Sequence, residues 1–150
     1  MGVVQGRTLE EWLTCYEYFS KNTSVYSIGL GAVYSTKTVF GNDDISKIVS
    51  GREFLVKKLI EKNILNPNKP HHLLGLGDSG HLEIKKLKKY KWMRSCDSSA
   101  AYIQAKHGVL ISMNKNYKKI KEKIDFGDKF NKKTYKLLIK NVQTLYEAGV

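Results

Sequence analysis

Cys96-Asp97-Ser98-Ser99-Ala100-Ala101-Tyr102 is the stretch of this 150-residue chain that says most about its fold. An apolar run precedes it, and small residues with helical character follow the aspartate. A strand, a carboxylate and a helix in succession are typical of a parallel β/α barrel, which presents its reactive groups where its strands end. A carboxylate at such a position can act as a nucleophile. Asp97 is therefore the candidate catalytic residue; the alternative is that it caps the helix beginning near Ser98.

Outward from this stretch, short apolar runs alternate with amphipathic stretches, as in β/α units. Thr8 and Glu11 form a capping box at the start of the first helix, and Gly108 suits the residue that follows a helix end. We predict strands at 1–5, 24–30, 71–76 and 92–96, helices from 9, after 51, and at 82–89, 98–106 and 131–148, and an extended piece at 109–112. On the last helix, we expect Leu137, Leu138, Val142 and Leu145 to be buried.

This alternation predicts an α/β fold with about four parallel β/α units and a C-terminal helix. A partial TIM-type barrel fits the pattern, and a small doubly wound sheet fits it equally well, so the residues alone leave both open. We expect residues 1–112 to form the β/α region, with 113–150 supplying a basic segment and a helix that packs on the same domain.

Composition narrows the classes of function. The formal net charge of +12 favours a polyanionic partner such as nucleic acid, although a lysine-rich chain with solvated helix faces has the same charge. No apolar run approaches the roughly 20 residues that span a bilayer, so we expect no membrane association. The chain's two cysteines are too few for a disulfide scaffold or a closed zinc site. These features predict a reduced, cytoplasmic setting.

Several other residues are candidates for binding. Gln5-Gly6 follows the first strand, and a glutamine can pair with the edge of a purine. Gly29-Leu30-Gly31 and Gly75-Leu76-Gly77 also follow strands, where glycines let backbone groups approach a flat ligand, although such pairs more often form plain turns. His71 and His72 are adjacent on a strand and face opposite sides, so we predict no metal site.

A basic run surrounds Trp92 and is a candidate for contact with phosphates, with a solvated helix face as the alternative. Its members are Lys85, Lys86, Lys88, Lys89, Lys91 and Arg94.

The order and spacing of these motifs resemble the second half of the barrel of the tRNA-guanine transglycosylases. That family exchanges a guanine in nucleic acid for a 7-deazapurine. The resemblance is carried by Val4-Gln5-Gly6, Gly29-Leu30-Gly31, Leu74-Gly75-Leu76-Gly77, Cys96-Asp97 and His107-Gly108, in that order. Asp97-Ser98 is most similar to the archaeal branch and to the phage or DNA-modifying branch, for which the host cytoplasm would be the setting.

The resemblance implies roles for single residues. Asp97 matches the nucleophile that forms a covalent glycosyl–enzyme intermediate, and Lys106 falls where the bacterial enzymes place an arginine on the nucleic-acid backbone. A guanine or 7-deazapurine base would be held by Gln5, Gly6, Gly29, Leu30, Gly31 and Gly75. Lys106 joins members of the basic run as the residues that we expect to contact the backbone of tRNA or DNA, and only Lys106 among them comes from the resemblance: Lys85, Lys88, Lys89, Lys91, Arg94 and Lys106.

The family's first barrel strands and its C-terminal zinc motif have no counterpart here. We therefore expect no cofactor, and we expect a homo-oligomer or another chain to supply the missing half of the barrel, because a half-barrel leaves strand edges and apolar surface uncovered. The resemblance implies a pentosyltransferase or its catalytic half. The alternative is a degenerate, non-catalytic relative that binds a purine-like base, a nucleotide or nucleic acid, or serves as a partner subunit.

Overall fold

Four short strands form a parallel sheet in which spatial order follows chain order. The computed structural model describes residues 1–31, 48–77, 79–113, 127, 129 and 131–150. Its strands are β1 (Gly2–Val4), β2 (Ile28–Gly31), β3 (His71–Leu74) and β4 (Met93–Cys96). In a doubly wound sheet, the order of the strands reverses at a switch point. The order of these four strands does not reverse. The predicted α/β class with parallel strands is confirmed.

Five α-helices accompany the sheet in the described parts of the chain. They are α1 (Leu9–Lys21), α2 (Ile48–Glu61), α3 (Gly80–Leu87), α4 (Ala100–Lys106) and α5 (Lys132–Gly149). None of these helices is long and apolar enough to cross a bilayer. The predicted capping box is confirmed, since the Thr8 hydroxyl accepts from the Glu11 amide at 3.1 Å.

Several boundaries differ from the sequence-based expectation: α2 begins at Ile48 and not after Gly51, and β3 ends at Leu74 and not at Leu76. β2 begins four residues later than predicted because Asn22 forms a turn: its side-chain oxygen accepts from the Ser24 amide and its carbonyl accepts from the Val25 amide, both at 3.0 Å. The prediction of an extended piece at 109–112 is wrong, because Ile111–Met113 is a 3-10 turn. Gly108, at φ +74°, ends α4 as predicted.

The two faces of the sheet differ in what covers them. Val4, Ile28, Leu30 and Leu73 point to one face, which we call the covered face, and belong to one buried cluster with α1, α2 and α3. The cluster's helical members include Trp12, Tyr16, Leu55, Leu59, Ile84 and Leu87. The opposite face, which we call the open face, carries Val3, His72 and Ser95, all at least partly exposed.

A buried ion pair joins α2 to α3 under the ends of β2 and β3. The guanidinium of Arg52 donates through Nε and Nη2 to both carboxylate oxygens of Glu83, at 2.5 and 2.6 Å. Its Nη1 donates to the carbonyls of Leu30 and Leu74, at 2.9 and 2.8 Å. Both side chains of the pair are 1% exposed. The charge is tolerated in the core because these four bonds replace the water that Arg52 loses.

A second buried network fixes the start of β3. His71 Nδ1 lies 2.8 Å from the carbonyl of Lys69, which can only accept, so Nδ1 carries the proton. His71 Nε2 then accepts from the Tyr16 hydroxyl at 2.8 Å. That hydroxyl in turn accepts from the Asn66 amide at 3.2 Å. Burial lowers the pKa of His71 to about 4 and raises the pKa of Tyr16 to about 12, so both groups are neutral near pH 7.

The C-terminal helix α5 packs on α3 and α4 through a polar residue that sequence patterning did not indicate. The Asn141 amide is buried, accepts from the Ile111 amide at 2.9 Å, and donates to the carbonyls of Ala101 and Val109. Val142, which we predicted to be buried, is 50% exposed. The buried side of α5 is centred on Asn141, so Val142 is turned away from the protein.

We expect Glu83→Gln to lower the free energy of unfolding by about 3–5 kcal/mol, because it leaves a buried guanidinium without its counter-charge. Urea unfolding followed by circular dichroism measures the change. The matched control is Glu61→Gln, which removes an exposed partner of Lys58 on α2 and should cost no more than about 1 kcal/mol. Equal effects of the two substitutions would contradict a structural role for the buried pair.

His71 should make stability fall on acidification. Its folded-state pKa of about 4 lies below its ordinary 6.5, so its contribution is complete above pH 6.5 and is lost as pH falls toward 4. The loss should approach roughly 3 kcal/mol. His71→Gln should be less stable at pH 7, and the gap to wild type should close by pH 4, because other titrating groups are common to both proteins. A gap that stays constant across this range in urea titrations would contradict the assignment.

Candidate functional site

Asp97 lies on the open face, one residue beyond the C-terminal end of β4. Its carboxylate is held by two donors on and after β3. Oδ1 lies 2.9 Å from His72 Nε2, and Oδ2 accepts from the Gly75 amide at 3.1 Å. The Asp97 side chain is 56% exposed and that of His72 is 21% exposed. The carboxylate is therefore both fixed in position and accessible to a ligand.

Hydrogen-bond chemistry assigns the proton on His72. An ionised carboxylate only accepts, so His72 Nε2 carries a hydrogen and donates it in a hydrogen bond to Asp97 Oδ1. In the neutral tautomer of His72, Nδ1 is an acceptor for the hydroxyl of Ser95, 2.7 Å away. Ser95, His72 and Asp97 thus form one chain of hydrogen bonds that ends on the carboxylate.

A bulge in β4 brings these three side chains to the same face. His71 pairs with Met93 and His72 pairs with Ser95, which leaves Arg94 as an extra residue. Because side chains alternate along a strand, one extra residue exchanges the faces of all residues that follow it. Without the bulge, Ser95 and Asp97 would point to the covered face. The bulge at Arg94 therefore creates the cluster with His72.

The loops after β3 and β4 are bonded to each other. The Asp97 amide donates to the Leu73 carbonyl at 3.2 Å, and the Leu76 amide donates to the Asp97 carbonyl at 2.8 Å. The Ser98 hydroxyl donates to the Leu76 carbonyl at 2.7 Å. Gly75 has φ +63°, a conformation that side-chain-bearing residues avoid, and this conformation points its amide at the carboxylate.

Asp97 is not the cap of α4. The Ala100 amide at the start of that helix donates to the Ser98 hydroxyl at 3.1 Å. The N-cap residue is Ser99, and its side chain makes no capping bond. The alternative interpretation of Asp97 from sequence is therefore wrong, and its carboxylate has no structural role in α4.

The predicted base-binding residues separate into two groups. The pairing register places Gly29 and Gly31 on the open face with His72 and Leu74, and the exposed Gln5 follows β1. Gly29 is covered there by the flexible side chains of Leu74 and Met1, whose atoms lie 2.8 and 3.3 Å from where a Cβ would be.

Gly6 and Leu30 have structural surroundings instead. A Cβ on Gly6 would lie 2.3 Å from the Trp12 amide nitrogen, so this glycine permits close contact with α1. The Leu30 side chain lies in the core, and the carbonyl of Leu30 is bonded to Arg52. Backbone contact from Leu30 to a base, as implied by the resemblance, would have to compete with that bond.

Most of the basic run lies near the N-terminal end of β4, whereas Asp97 follows the C-terminal end of that strand. Lys85 and Lys86 are in the last turn of α3, and Lys88, Lys89 and Lys91 lie between that turn and the start of β4. A four-residue strand spans about 13 Å, which separates this cluster from Asp97. Only Arg94 lies within β4, and Lys106 is in the last turn of α4.

Part of this positive charge is already compensated by Glu53 of α2. Its carboxylate lies 3.1 Å from Lys57, 3.6 Å from Lys86 and 3.9 Å from Lys89. Partial burial alone would raise the pKa of Glu53, but these lysines outweigh it and hold the pKa below its usual value. Lys88 donates to the Val150 carbonyl at 2.9 Å. Lys88, Lys91 and Arg94 line a groove of about 320 Å³ beside β4.

The neighbouring thiol is a poor nucleophile. Partial burial of Cys96 and the adjacent carboxylate of Asp97 raise its pKa, so it stays protonated near neutral pH. The accessible reactive groups at this edge are therefore the Asp97 carboxylate and the Ser95 hydroxyl. The carboxylate can attack an electrophilic carbon directly, whereas the hydroxyl would first have to transfer its proton to His72.

Comparison of the chain with protein-family models, with curated proteins and with solved structures gave no match.

Sequence reasoning missed His72 and Ser95. The sequence did contain a signal for His72: side chains alternate between the two faces of a strand, so His72 was expected on the face opposite to His71. Ser95 carried no such signal, because the face to which it points depends on the bulge at Arg94. No residue type between Trp92 and Asp97 predicts a bulge.

Gly75→Ala should lower the free energy of unfolding by about 1–2 kcal/mol, because its φ of +63° is strained for any residue with a Cβ. Gly77→Ala, two residues along the same loop, has no atom within 4 Å of the added Cβ and no positive φ, so we expect about 0.5 kcal/mol or less in either direction. Chemical denaturation of the two variants checks this. Equal losses would show that the backbone at Gly75 is not left-handed.

Proposed function

We propose that this chain is the catalytic half of a base-exchanging transglycosylase that acts on tRNA or DNA, with Asp97 as its nucleophile. The observation that carries the proposal is the Asp97 carboxylate itself. It is 56% exposed on the open face, it is held by His72 and Gly75, and it has no role in capping α4. A carboxylate that is fixed but accessible meets the geometric requirement for attack on a sugar carbon.

The reaction needs two displacements at the same carbon. In the first, an Asp97 oxygen attacks C1′ of the nucleotide, the bond from C1′ to guanine breaks, and guanine leaves with the electron pair and takes a proton from water. In the second, the incoming 7-deazapurine loses a proton to water, its ring nitrogen attacks C1′, and the ester bond breaks with its electrons returning to Asp97. Bonds and charges balance without an oxidant or a reductant.

His72 is a positioning residue in this scheme. It donates a hydrogen bond to Oδ1 while the Gly75 amide occupies Oδ2, and each carboxylate oxygen keeps a further lone pair for attack. Gln5 and the backbone at Gly29 and Gly31 would contact the departing and incoming bases from the same face. Entry of a base requires Leu74 and Met1 to move off Gly29, which their flexible side chains permit.

A polynucleotide is the substrate that the charge distribution supports. Lys88 and Lys91 precede β4, at the end of the strand away from Asp97, and Arg94 lies within β4, so an isolated nucleoside at Asp97 would not reach the two lysines. An extended phosphate backbone reaches both regions, and a formal net charge of +12 favours its approach.

The open face would be the interior of a completed TIM-type barrel. Four parallel strands in sequential order, with helices on one face, form a wall of the kind that such barrels use. The remaining strands would come from a second copy or from another chain, pairing with β1 and β4, each of which has one paired neighbour among the described strands.

Asp97→Asn tests the nucleophile, because an amide cannot form the glycosyl ester. Incorporation of labelled guanine into tRNA and into DNA, measured with the complete assembly that includes the remaining strands, should fall on the order of a thousandfold or more. Unfolding free energy should change by only about 1 kcal/mol, since the amide oxygen still accepts one of the two bonds. The matched control is Ser95→Ala, which leaves both bonds to Asp97 in place and should keep activity within about tenfold.

Other outcomes assign the site differently. Unchanged incorporation by Asp97→Asn would remove Asp97 from catalysis. A loss with Ser95→Ala as large as that with Asp97→Asn would indicate a serine nucleophile activated by His72. If wild type incorporates no base but binds guanine and salt-sensitively binds tRNA or DNA, the non-catalytic relative is the better description.

A further inference from the structure

The outer side of α5 carries a stripe of apolar side chains that the described part of the protein leaves uncovered. We call it the outer stripe: Tyr135, Ile139, Val142 and Tyr146, exposed by 56%, 48%, 50% and 72%, followed by Val150 at 75%. Spacings of four, three, four and four residues keep these side chains on one side of a helix. This is the spacing with which one helix packs along another.

The outer stripe is self-complementary when the helix is paired with an antiparallel copy of itself. A two-fold axis between Lys140 and Asn141 brings Ile139 opposite Val142 of the second copy and Tyr135 opposite Tyr146 of the second copy. Each branched aliphatic side chain then meets a branched aliphatic one, and each tyrosine meets a tyrosine. A two-fold interface requires such matching of one patch with itself.

The charges on α5 give a second, independent argument. Its first turn has no acidic residue but carries Lys132 and Lys133, and its last turn has no basic residue, with Glu147 nearby. Both ends therefore oppose the helix dipole, which favours acids at the start and bases at the end. In an antiparallel pair, the lysines at the start lie beside the negative end of the other helix.

Side-chain positions extend this complementarity. Glu147 of the second copy lies level with Thr134, within one turn of Lys133 and Lys136. Lys136 and Glu147 lie on the same flank of α5, which antiparallel packing brings face to face. A parallel pair would instead set lysine against lysine at one end.

We infer that α5 is a dimerisation helix, which binds α5 of a second copy of this chain in antiparallel orientation through the outer stripe. This inference does not depend on the proposed enzymatic activity.

Sedimentation velocity of the full chain over a concentration series tests this inference. Wild type should dimerise reversibly, and Ile139→Glu should weaken the dimerisation constant by about tenfold or more, because it buries a charge without a partner. The matched control is Tyr18→Glu, which places the same charge on an exposed aromatic residue of α1 and should leave the constant unchanged. A wild-type monomer at about 100 µM, or a dimer that survives both Ile139→Glu and Val142→Glu, would overturn the proposal.

Cross-linking tests the orientation without relying on a destabilising change. In a Cys15→Ser, Cys96→Ser background, the double variant Ile139→Cys, Val142→Cys should form a covalent dimer on oxidation, through cysteines that face each other across the axis. Ile139→Cys alone should cross-link far less. Equal cross-linking by the single variant would indicate a parallel pair and overturn the antiparallel arrangement. Lys136→Glu should weaken dimerisation, and adding Glu147→Lys should restore it; no restoration would also count against this arrangement.

Discussion

The guanidinium of Arg52 holds together the C-terminal ends of β2 and β3, next to the candidate site. Its two-pronged bond to Glu83 joins α2 to α3, and its Nη1 draws the carbonyls at the ends of β2 and β3 toward one nitrogen. Lysine could not replace it, because an ammonium group lacks the planar fork that serves a carboxylate and two carbonyls together. Leu74 immediately precedes Gly75, so the position of the amide that holds Asp97 depends on this buried charge.

Local patterns in the sequence predicted the elements well, because apolar spacing and capping residues act within a few positions. The capping box at Thr8 and the helix end at Gly108 are of this kind. The Arg52–Glu83 pair could not be predicted from the sequence, because its members are 31 residues apart and each resembles a surface charge on an amphipathic helix. Val142 was misassigned for a related reason: an apolar residue on a helix does not reveal whether the protein or another molecule covers it.

The site was predictable only in part. Asp97 was found because a carboxylate after a strand is a local signal, and its exposure fits that interpretation. The hydrogen-bond chain from Ser95 through His72 was not found, because it depends on which residues of two strands face each other. A single unpaired residue changes that relation, and sequence alternation assumes that there is none. The separation of the lysines from Asp97 likewise follows from the direction of β4, not from their distance along the chain.

The bulge at Arg94 has a consequence for solubility as well. β4 borders the described sheet, and a regular strand in that position is a template onto which further chains can add and grow into fibrils. The extra residue interrupts the regular hydrogen-bond spacing that such growth needs. It also places a permanent positive charge on the border, so that two molecules meeting edge to edge repel each other. The bulge at Arg94 thus gathers the polar cluster and also disfavours unspecific strand addition at β4, so a partner strand that pairs there must match its irregular spacing.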